Sequence, residues 1–122
     1  MSELDLRREL VDRLNLQRGD VVLEVAIGTG GNVPLIRRRT QNVIFGLDLS
    51  EGMLRRCLDK ANERGWDLEL CLGNAEYLPY KSERFDVLLN FGGMSYFNDK
   101  RRVLEEMYRV VKSGGNVVVG SK

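Results

Sequence analysis

Short apolar runs alternate along this chain with longer segments in which apolar residues recur every three or four positions. The short runs predict buried β-strands, and the longer segments predict amphipathic helices. The five predicted strands are residues 21–25, 43–48, 68–72, 85–90 and 116–120. Strands that alternate with helices favour a parallel sheet built from right-handed crossovers.

Helical spacing predicts helices over residues 4–14 and 32–39, a third between an N-cap at Ser50 and a terminating Gly65, and a fourth that Asn98 or Asp99 begins and that runs to about Lys112. The third helix is expected to bury one apolar face, made of Met53, Leu54, Cys57, Leu58 and Ala61. The fourth is expected to bury Val103, Leu104, Met107, Val110 and Val111.

Composition narrows the class of protein. The 122 residues predict one domain, and 43% hydrophobic with 30% charged residues is typical of a soluble globular chain. A net charge of +1 gives no electrostatic signature of nucleic-acid binding, and no apolar run approaches a membrane span. Because no secretory signal is visible, we expect a cytoplasmic protein in which Cys57 and Cys71 are reduced thiols. The chain has no histidine, and no metal-ligand set is predicted.

The turn after the first predicted strand, residues 24–32, is rich in glycine and begins with an acid, Glu24. Ligands of open parallel sheets bind at the carboxyl ends of the strands. Main-chain N–H groups in this turn would favour a ligand carboxylate, and Glu24 would favour an ammonium group. A tight turn without a ligand remains an alternative. A dinucleotide-binding turn requires a glycine where Val33 stands.

Asp48 closes the second predicted strand, 20 residues after Gly28. A carboxylate at this position can accept hydrogen bonds from both hydroxyls of a ribose, which suits a nicotinamide cofactor equally well. The alternative role is that of a helix-capping aspartate. Leu49 and Met53 are placed to pack on an adenine ring, although apolar residues at this spacing are more often part of the core.

Residues 73–80, Gly-Asn-Ala-Glu-Tyr-Leu-Pro-Tyr, follow the third predicted strand, and residues 84–93 contain the fourth. Taken in order, the four segments resemble the class I S-adenosylmethionine-dependent methyltransferases, particularly the enzymes of ubiquinone and menaquinone biosynthesis. Residues 104–119 also match that family, so the resemblance covers about residues 20–120. It implies a Rossmann-like, doubly wound α/β sheet in the order 3-2-1-4-5 and S-adenosylmethionine as cofactor.

The resemblance also implies roles for single residues. In the family pattern acidic-x-Gly-x-Gly-x-Gly, Ala26 replaces the first glycine, which is a conservative change if its φ is negative. Asn74 stands where the family usually has Asp and would accept a hydrogen bond from the adenine amino group, while the N–H of Ala75 would meet the ring. Residues 90–93, which begin with Asn90, would lie beside the methionine portion and the methyl group. The full predicted cofactor-binding set is Glu24, Ala26, Gly28, Thr29, Gly30, Asn32, Asp48, Leu49, Met53, Asn74, Ala75, Glu76 and Asn90.

The resulting hypothesis is methyl transfer to a small-molecule or lipid-like acceptor. No catalytic side chain is predicted; Tyr96 either faces the acceptor or, as we favour, packs with its hydroxyl at the surface. A non-catalytic cofactor-binding subunit, or a fragment that needs a partner chain, is the alternative. A nicotinamide oxidoreductase is disfavoured by Val33, Glu24 and the Asn74-Ala75 pair.

The ending of the chain carries a further expectation. The family fold has two more strands after the fifth, and they are absent from residues 1–122, which we expect to form a single, C-terminally short domain. An apolar fifth strand left at a sheet edge is a template for strand pairing. We therefore expect a second copy or a partner chain to cover it.

Overall fold

The structure is a computed structural model; it describes residues 2–120, with only the main chain for Ser95, so the two ends of the predicted 1–122 domain lie outside the described residues. The strands are β1 (Val22–Val25), β2 (Ile44–Asp48), β3 (Leu68–Leu72), β4 (Phe85–Phe91) and β5 (Val111–Gly120). The α-helices are α1 (Glu3–Arg13), α2 (Val33–Ile36), α3 (Glu51–Arg64) and α4 (Lys100–Val110). Two short 3₁₀ turns, Ala75–Tyr77 and Met94–Tyr96, follow β3 and β4.

The five strands form one parallel sheet in the order β3-β2-β1-β4-β5. This confirms the predicted doubly wound α/β fold. Each face of the sheet carries its own apolar core: α1, α2 and α3 cover one face, and α4 covers the other. Because side chains alternate across a strand, Val22 packs under α1–α3 while Leu23 and Val25 pack under α4. Glu24 therefore lies on the same face as Val22, under α1–α3.

The helix boundaries follow local capping chemistry. The Ser50 hydroxyl accepts a hydrogen bond from the Met53 N–H at 3.2 Å, and Gly65 closes α3 in the left-handed conformation at φ 70°. Asp99, not Asn98, caps α4 by accepting from the Arg102 N–H at 3.0 Å. These contacts confirm both predicted ends of α3 and decide between the two candidates for the start of α4.

Four details of the predicted helices are wrong. The second helix is a single turn instead of residues 32–39, and α4 stops at Val110, where β5 begins. The buried stripe of α3 is only Leu54, Cys57 and Ala61, whereas Met53 and Leu58 are about half exposed. Leu104 of α4 is also partly exposed, at 36%. Each helix meets the sheet along a stripe about one residue wide per turn, so apolar residues beside that stripe stay in contact with solvent.

β5 is longer than predicted because the Gly114-Gly115 pair is absorbed into an irregular start of the strand. The register with β4 shifts between Phe85 and Val87. Gly114 has a φ of 84°, and a Cβ on Gly115 would lie 2.5 Å from the Asp86 carbonyl oxygen. These glycines therefore permit the bulge that brings β5 alongside β4.

Candidate cofactor site

Two adjoining clefts open at the carboxyl ends of β1, β2 and β4. The first, which we call the β2 cleft, has a volume of about 390 Å³ and includes Asp48, Leu49 and Tyr96 in its lining. The second, the β1 cleft, has a volume of about 240 Å³ and includes Arg7 and Glu24. The lining residues common to both are Ala26, Gly28, Met53 and Phe91. The clefts therefore flank the glycine-rich turn, where open parallel sheets bind ligands.

The glycine-rich turn adopts a left-handed backbone conformation at every second residue. Ala26, Gly28 and Gly30 have φ angles of 63°, 62° and 86°. Ala26 therefore does not meet the condition of a negative φ under which its replacement of glycine would be conservative. The N–H groups of Ala26 and of the next residue both donate to the Leu47 carbonyl, at 2.8 and 3.1 Å, which holds this part of the turn against β2. The left-handed conformation at an alanine costs about 1–2 kcal/mol relative to glycine.

Gly28 and Gly30 serve different purposes in the same turn. A Cβ at Gly28 would meet no atom within 4 Å, so this residue leaves open space above the shared floor of the clefts. A Cβ at Gly30 would lie 3.0 Å from the Cys57 sulfur and 3.1 Å from the Trp66 ring. Gly30 therefore allows the turn to pack on α3 and lines neither cleft, whereas Gly28 allows a ligand to approach the main chain.

Glu24 is buried, with 2% of its surface exposed. Its Oε2 accepts a hydrogen bond from the Asn32 side-chain N–H at 2.8 Å, and its Oε1 has no partner among the described residues. Burial raises the pKa of Glu24 to about 8; nearby Asp48 adds to this rise, while the Asn32 hydrogen bond and the charge of Arg7 oppose it. A buried carboxyl with one unsatisfied oxygen is suited to receive a cationic ligand group.

Arg7 of α1 lines the β1 cleft and was not among the predicted site residues. Its Nη1 donates to Asn32 Oδ1 at 3.1 Å, so Arg7, Asn32 and Glu24 form one chain of hydrogen bonds along the wall of the β1 cleft. The sequence feature that could have indicated a role for Arg7 is its position in the first helix. Arg7 lies three, four and seven residues before Leu10, Val11 and Leu14, which are all buried. It is thus a charged residue on the inward face of an amphipathic helix.

The main-chain donors of the turn are less available than the sequence suggested. The Gly28 N–H donates to Asp48 Oδ2 at 2.8 Å, and the Gly30 N–H donates to the Ile27 carbonyl at 3.1 Å. The helix that follows is only four residues long, from Val33 to Ile36. The N–H groups of Gly28 and Gly30 are therefore not free for a ligand carboxylate.

Asp48 lies half-buried at the end of β2. Oδ2 accepts from Gly28 and Oδ1 accepts from the Ser50 N–H at 2.9 Å, so the carboxylate orders both the glycine-rich turn and the start of α3. Each carboxylate oxygen has a second lone pair for a ligand hydroxyl. Beside it, Leu49 and Met53 are 56% and 42% exposed, so they belong to the cleft and not to the core.

Five predicted residues lie outside the lining of both clefts: Gly30, already described, and Asn74, Ala75, Glu76 and Asn90. The Asn74 side chain accepts from the Glu76 N–H at 2.9 Å, and Ala75 is fully buried in the core under α4; Gly73, one residue earlier, is the part of this segment that lines the β2 cleft. Asn90 is fully buried and donates to the Val25 carbonyl at 3.0 Å. Asn90 thus ties β4 to the end of β1 beneath the clefts.

The segment after β4 forms the wall of the β2 cleft that faces β2. Phe91, Gly92, Gly93 and Phe97 line it. The family resemblance had placed residues 90–93 beside the methionine portion and the methyl group, whereas Phe97 had no predicted role. Tyr96 lines the cleft as well, with 81% of its surface exposed. Apolar residues directly after a strand of an open sheet were the signal for this wall.

The strand order, the acidic turn and the carboxylate at the end of β2 define a Rossmann-like methyltransferase domain. Residues 22–115 match the family profile described as "Methyltransferase domain". The chain therefore belongs to this family, and the resemblance to the class I S-adenosylmethionine-dependent methyltransferases is confirmed.

Known proteins with similar chains agree. The chain is 40% identical to a demethylmenaquinone methyltransferase of Oceanobacillus iheyensis, over 92% of this chain and 48% of that protein. It is 36% identical to a phosphatidylethanolamine N-methyltransferase of Cereibacter sphaeroides, over 93% of this chain and 55% of that protein. A solved putative methyltransferase of Bacillus halodurans superposes with a TM-score of 0.86 and 25% identity, over 93% of this chain and 49% of the other. The chain spans about half the length of these relatives.

In residues 2–120, no helix has the length and apolarity needed to cross a membrane.

Proposed function

We propose that this chain binds S-adenosylmethionine across the two clefts and forms the cofactor-binding part of a methyltransferase. The observation that carries the proposal is the open space above Gly28, flanked by the carboxyls of Glu24 and Asp48. Both acids lie at strand ends, and the unsatisfied Oε1 of Glu24 suits the ammonium of an amino acid. The site thus fits a molecule that joins an amino acid to a nucleoside.

In this arrangement each cleft holds one part of the cofactor. Asp48 accepts the ribose hydroxyls in the β2 cleft, where Leu49 and Met53 offer exposed apolar surface to the adenine. Glu24 and Asn32, with the main chain at Ala26 and Thr29, border the amino-acid part in the β1 cleft. The remaining predicted residues, Gly30, Asn74, Ala75, Glu76 and Asn90, shape the turn, the β3 segment and the floor around these contacts.

S-adenosylmethionine supplies an activated methyl group, so the protein has to align the acceptor and exclude water, and no protein nucleophile is required. The apolar wall of Phe91 and Phe97, with Tyr96 at its mouth, suits an acceptor with an apolar ring or chain. The relatives named above act on a demethylated menaquinone and on phosphatidylethanolamine. We therefore extend the proposal to a quinone-like or lipid-like acceptor.

Two calorimetric titrations of the 122-residue chain test cofactor binding: one with S-adenosylhomocysteine and one with NAD. We expect the first ligand to bind with one-to-one stoichiometry and the second to give no heat. Binding of NAD alone would refute the proposal.

Transfer of a radiolabelled methyl group to a demethylated naphthoquinol or to phosphatidylethanolamine tests the acceptor class. Cofactor binding without transfer to either acceptor would contradict the proposed acceptor class.

The proposal also covers association with a second chain and the cellular location of the protein. β5 is the edge strand of the described sheet, with Val119 42% exposed, and we place a second chain along this edge. Light scattering that shows only monomers at high concentration would contradict this.

We also place the protein in the cytoplasm, because Cys57 and Cys71 are free thiols, and cell fractionation tests that location.

A further inference from the structure

The amino-acid end of the site has a charged wall that the family profile does not reach. Residues 22–115 match the profile, whereas Arg7 belongs to α1, which lies before them. A Cβ on Gly31 would lie 2.5 Å from Arg7 Nη1, so the guanidinium packs directly on the glycine-rich turn, and a larger residue at this position would displace it. The turn and the helix are thus fitted to each other at the edge of the β1 cleft.

Arg7 is held in place by three contacts. Nη1 donates to Asn32 Oδ1 at 3.1 Å, the guanidinium carbon lies 5.1 Å from the centre of the Phe91 ring, and Nη2 pairs with Glu3 at 3.1 Å. A guanidinium carries five N–H donors, more than these contacts use. The Glu3 carboxylate is 57% exposed. Because exposed ion pairs contribute little to stability, a ligand carboxylate can replace or share this contact.

The β1 cleft therefore presents a cationic group and an acidic group to a ligand. Arg7 offers a fixed fork of donors on one side, and Glu24 offers a buried carboxyl with an unpartnered oxygen on the other. The main-chain donors of Gly28 and Gly30 are already engaged within the protein. An α-amino acid, whose carboxylate and ammonium share one carbon, matches such a pair of groups.

Resting on the function proposed above, we propose that Arg7 binds the α-carboxylate of the cofactor while Glu24 binds its α-ammonium. α1 is then part of the cofactor site and not only a cover for the sheet. Asn32 is the bridge between the two, since it accepts from Arg7 and donates to Glu24. Arg56 of α3 also lines the β1 cleft, but it is exposed and is the competing candidate for the carboxylate.

The experiment compares two ligands that differ only at the amino-acid end: S-adenosylhomocysteine and 5′-methylthioadenosine, which lacks the amino acid. Their dissociation constants are measured by calorimetry for the wild-type chain and for Arg7→Gln, Arg56→Gln and Arg8→Gln. Arg8 is the matched control, because it is the next residue of α1 and is exposed. The measured quantity is the ratio of the two affinities, which cancels general effects on folding.

We expect Arg7→Gln to weaken S-adenosylhomocysteine by about tenfold or more, since loss of a charged hydrogen bond removes about 1.5–3 kcal/mol. Binding of 5′-methylthioadenosine should change less than twofold and shows that the variant is folded. Arg8→Gln should leave both affinities unchanged. If Arg7→Gln does not fold, Arg7→Lys serves instead: it keeps the charge, loses the fork, and should lower the ratio partly.

Two results would overturn the inference. An unchanged ratio in the folded Arg7 variant would show that α1 does not bind the carboxylate. A collapse of the ratio in Arg56→Gln alone would assign the carboxylate to α3. Failure of the wild-type chain to bind S-adenosylhomocysteine would instead contradict the proposed function, so the two failures are distinguishable.

Discussion

The two clefts on either side of the glycine-rich turn are each built around one carboxyl, and the two carboxyls are in opposite states. Asp48 of the β2 cleft is half-buried, and both of its oxygens accept main-chain N–H groups. Glu24 of the β1 cleft is buried, holds one hydrogen bond from Asn32 and leaves one oxygen unsatisfied. The protein thus supplies hydrogen bonds to both oxygens of Asp48, whereas it leaves one oxygen of Glu24 without a partner among the described residues, which is where we propose that a cationic group binds.

The largest effect is expected at the carboxylate of the β2 cleft. Asp48→Ala removes the ribose acceptor together with the anchors of Gly28 and Ser50, so we expect S-adenosylhomocysteine to bind about 100-fold more weakly, near the upper end of the about 1.5–3 kcal/mol for a charged hydrogen bond. Calorimetry measures the change. Because the ribose is common to both ligands, 5′-methylthioadenosine should weaken equally, and a loss confined to S-adenosylhomocysteine would break the assignment of the β2 cleft.

At the other end of the site, Glu24→Gln should weaken S-adenosylhomocysteine by about 30-fold, or about 2 kcal/mol, because the variant has no carboxyl that can ionise to pair with the ammonium. The amide oxygen of Gln can still accept from Asn32, so the variant should remain folded. Affinity for 5′-methylthioadenosine should not change. An equal loss for both ligands would show that Glu24 only supports the turn.

The same variant tests the ionisation of Glu24. Its folded pKa of about 8 lies above the ordinary 4.5, so the unfolded chain loses this proton first as the pH rises. The free energy of unfolding of the wild-type chain should therefore decline between about pH 4.5 and about pH 8. Glu24→Gln should lack this contribution and gain stability relative to wild type across that range. Parallel urea-unfolding profiles for the two proteins would contradict the raised pKa.

The turn between the clefts provides a smaller contrast. Gly30→Ala should lower the free energy of unfolding by about 1–2 kcal/mol from its positive φ alone, and crowding against Cys57 and Trp66 should add to this. Gly28→Ala has the same φ penalty without the crowding, but its methyl group enters the ligand space. Urea unfolding should therefore rank Gly30→Ala as less stable, and calorimetry should rank Gly28→Ala as the weaker binder. If Gly28→Ala were the less stable variant and Gly30→Ala the weaker binder, the roles assigned to the two glycines would be wrong.

The smallest expected effect is a gain. Ala26→Gly relieves the left-handed strain of about 1–2 kcal/mol but loses part of it to the greater freedom of glycine in the unfolded chain, so we expect about 0.5–1 kcal/mol of added stability. Thermal unfolding measures this change. A loss of stability would indicate that contacts of the Ala26 methyl group, which lies beside Gly93, outweigh the strain.

Much of the fold follows from local rules that act along the chain. The buried runs gave all five strands within a few residues, except that β5 begins five residues earlier than predicted, and the alternation with helices gave the parallel sheet. The end of α3 followed from the conformational freedom of Gly65, and its start from the hydroxyl of Ser50. Because these rules involve neighbours in sequence, they can be read without the structure.

The sequence by itself determined which strands exist, where the turn lies and which two acids stand at strand ends. Tertiary structure decided the rest, because it depends on contacts between distant residues. Arg7 reaches Asn32 across 25 positions, the Leu47 carbonyl holds Ala26 in its positive φ, and the core takes up Ala75 and Asn90. Burial, which only the assembled sheet and helices produce, distinguishes Glu24 from Asp48 and raises the pKa of one of two similar carboxyls.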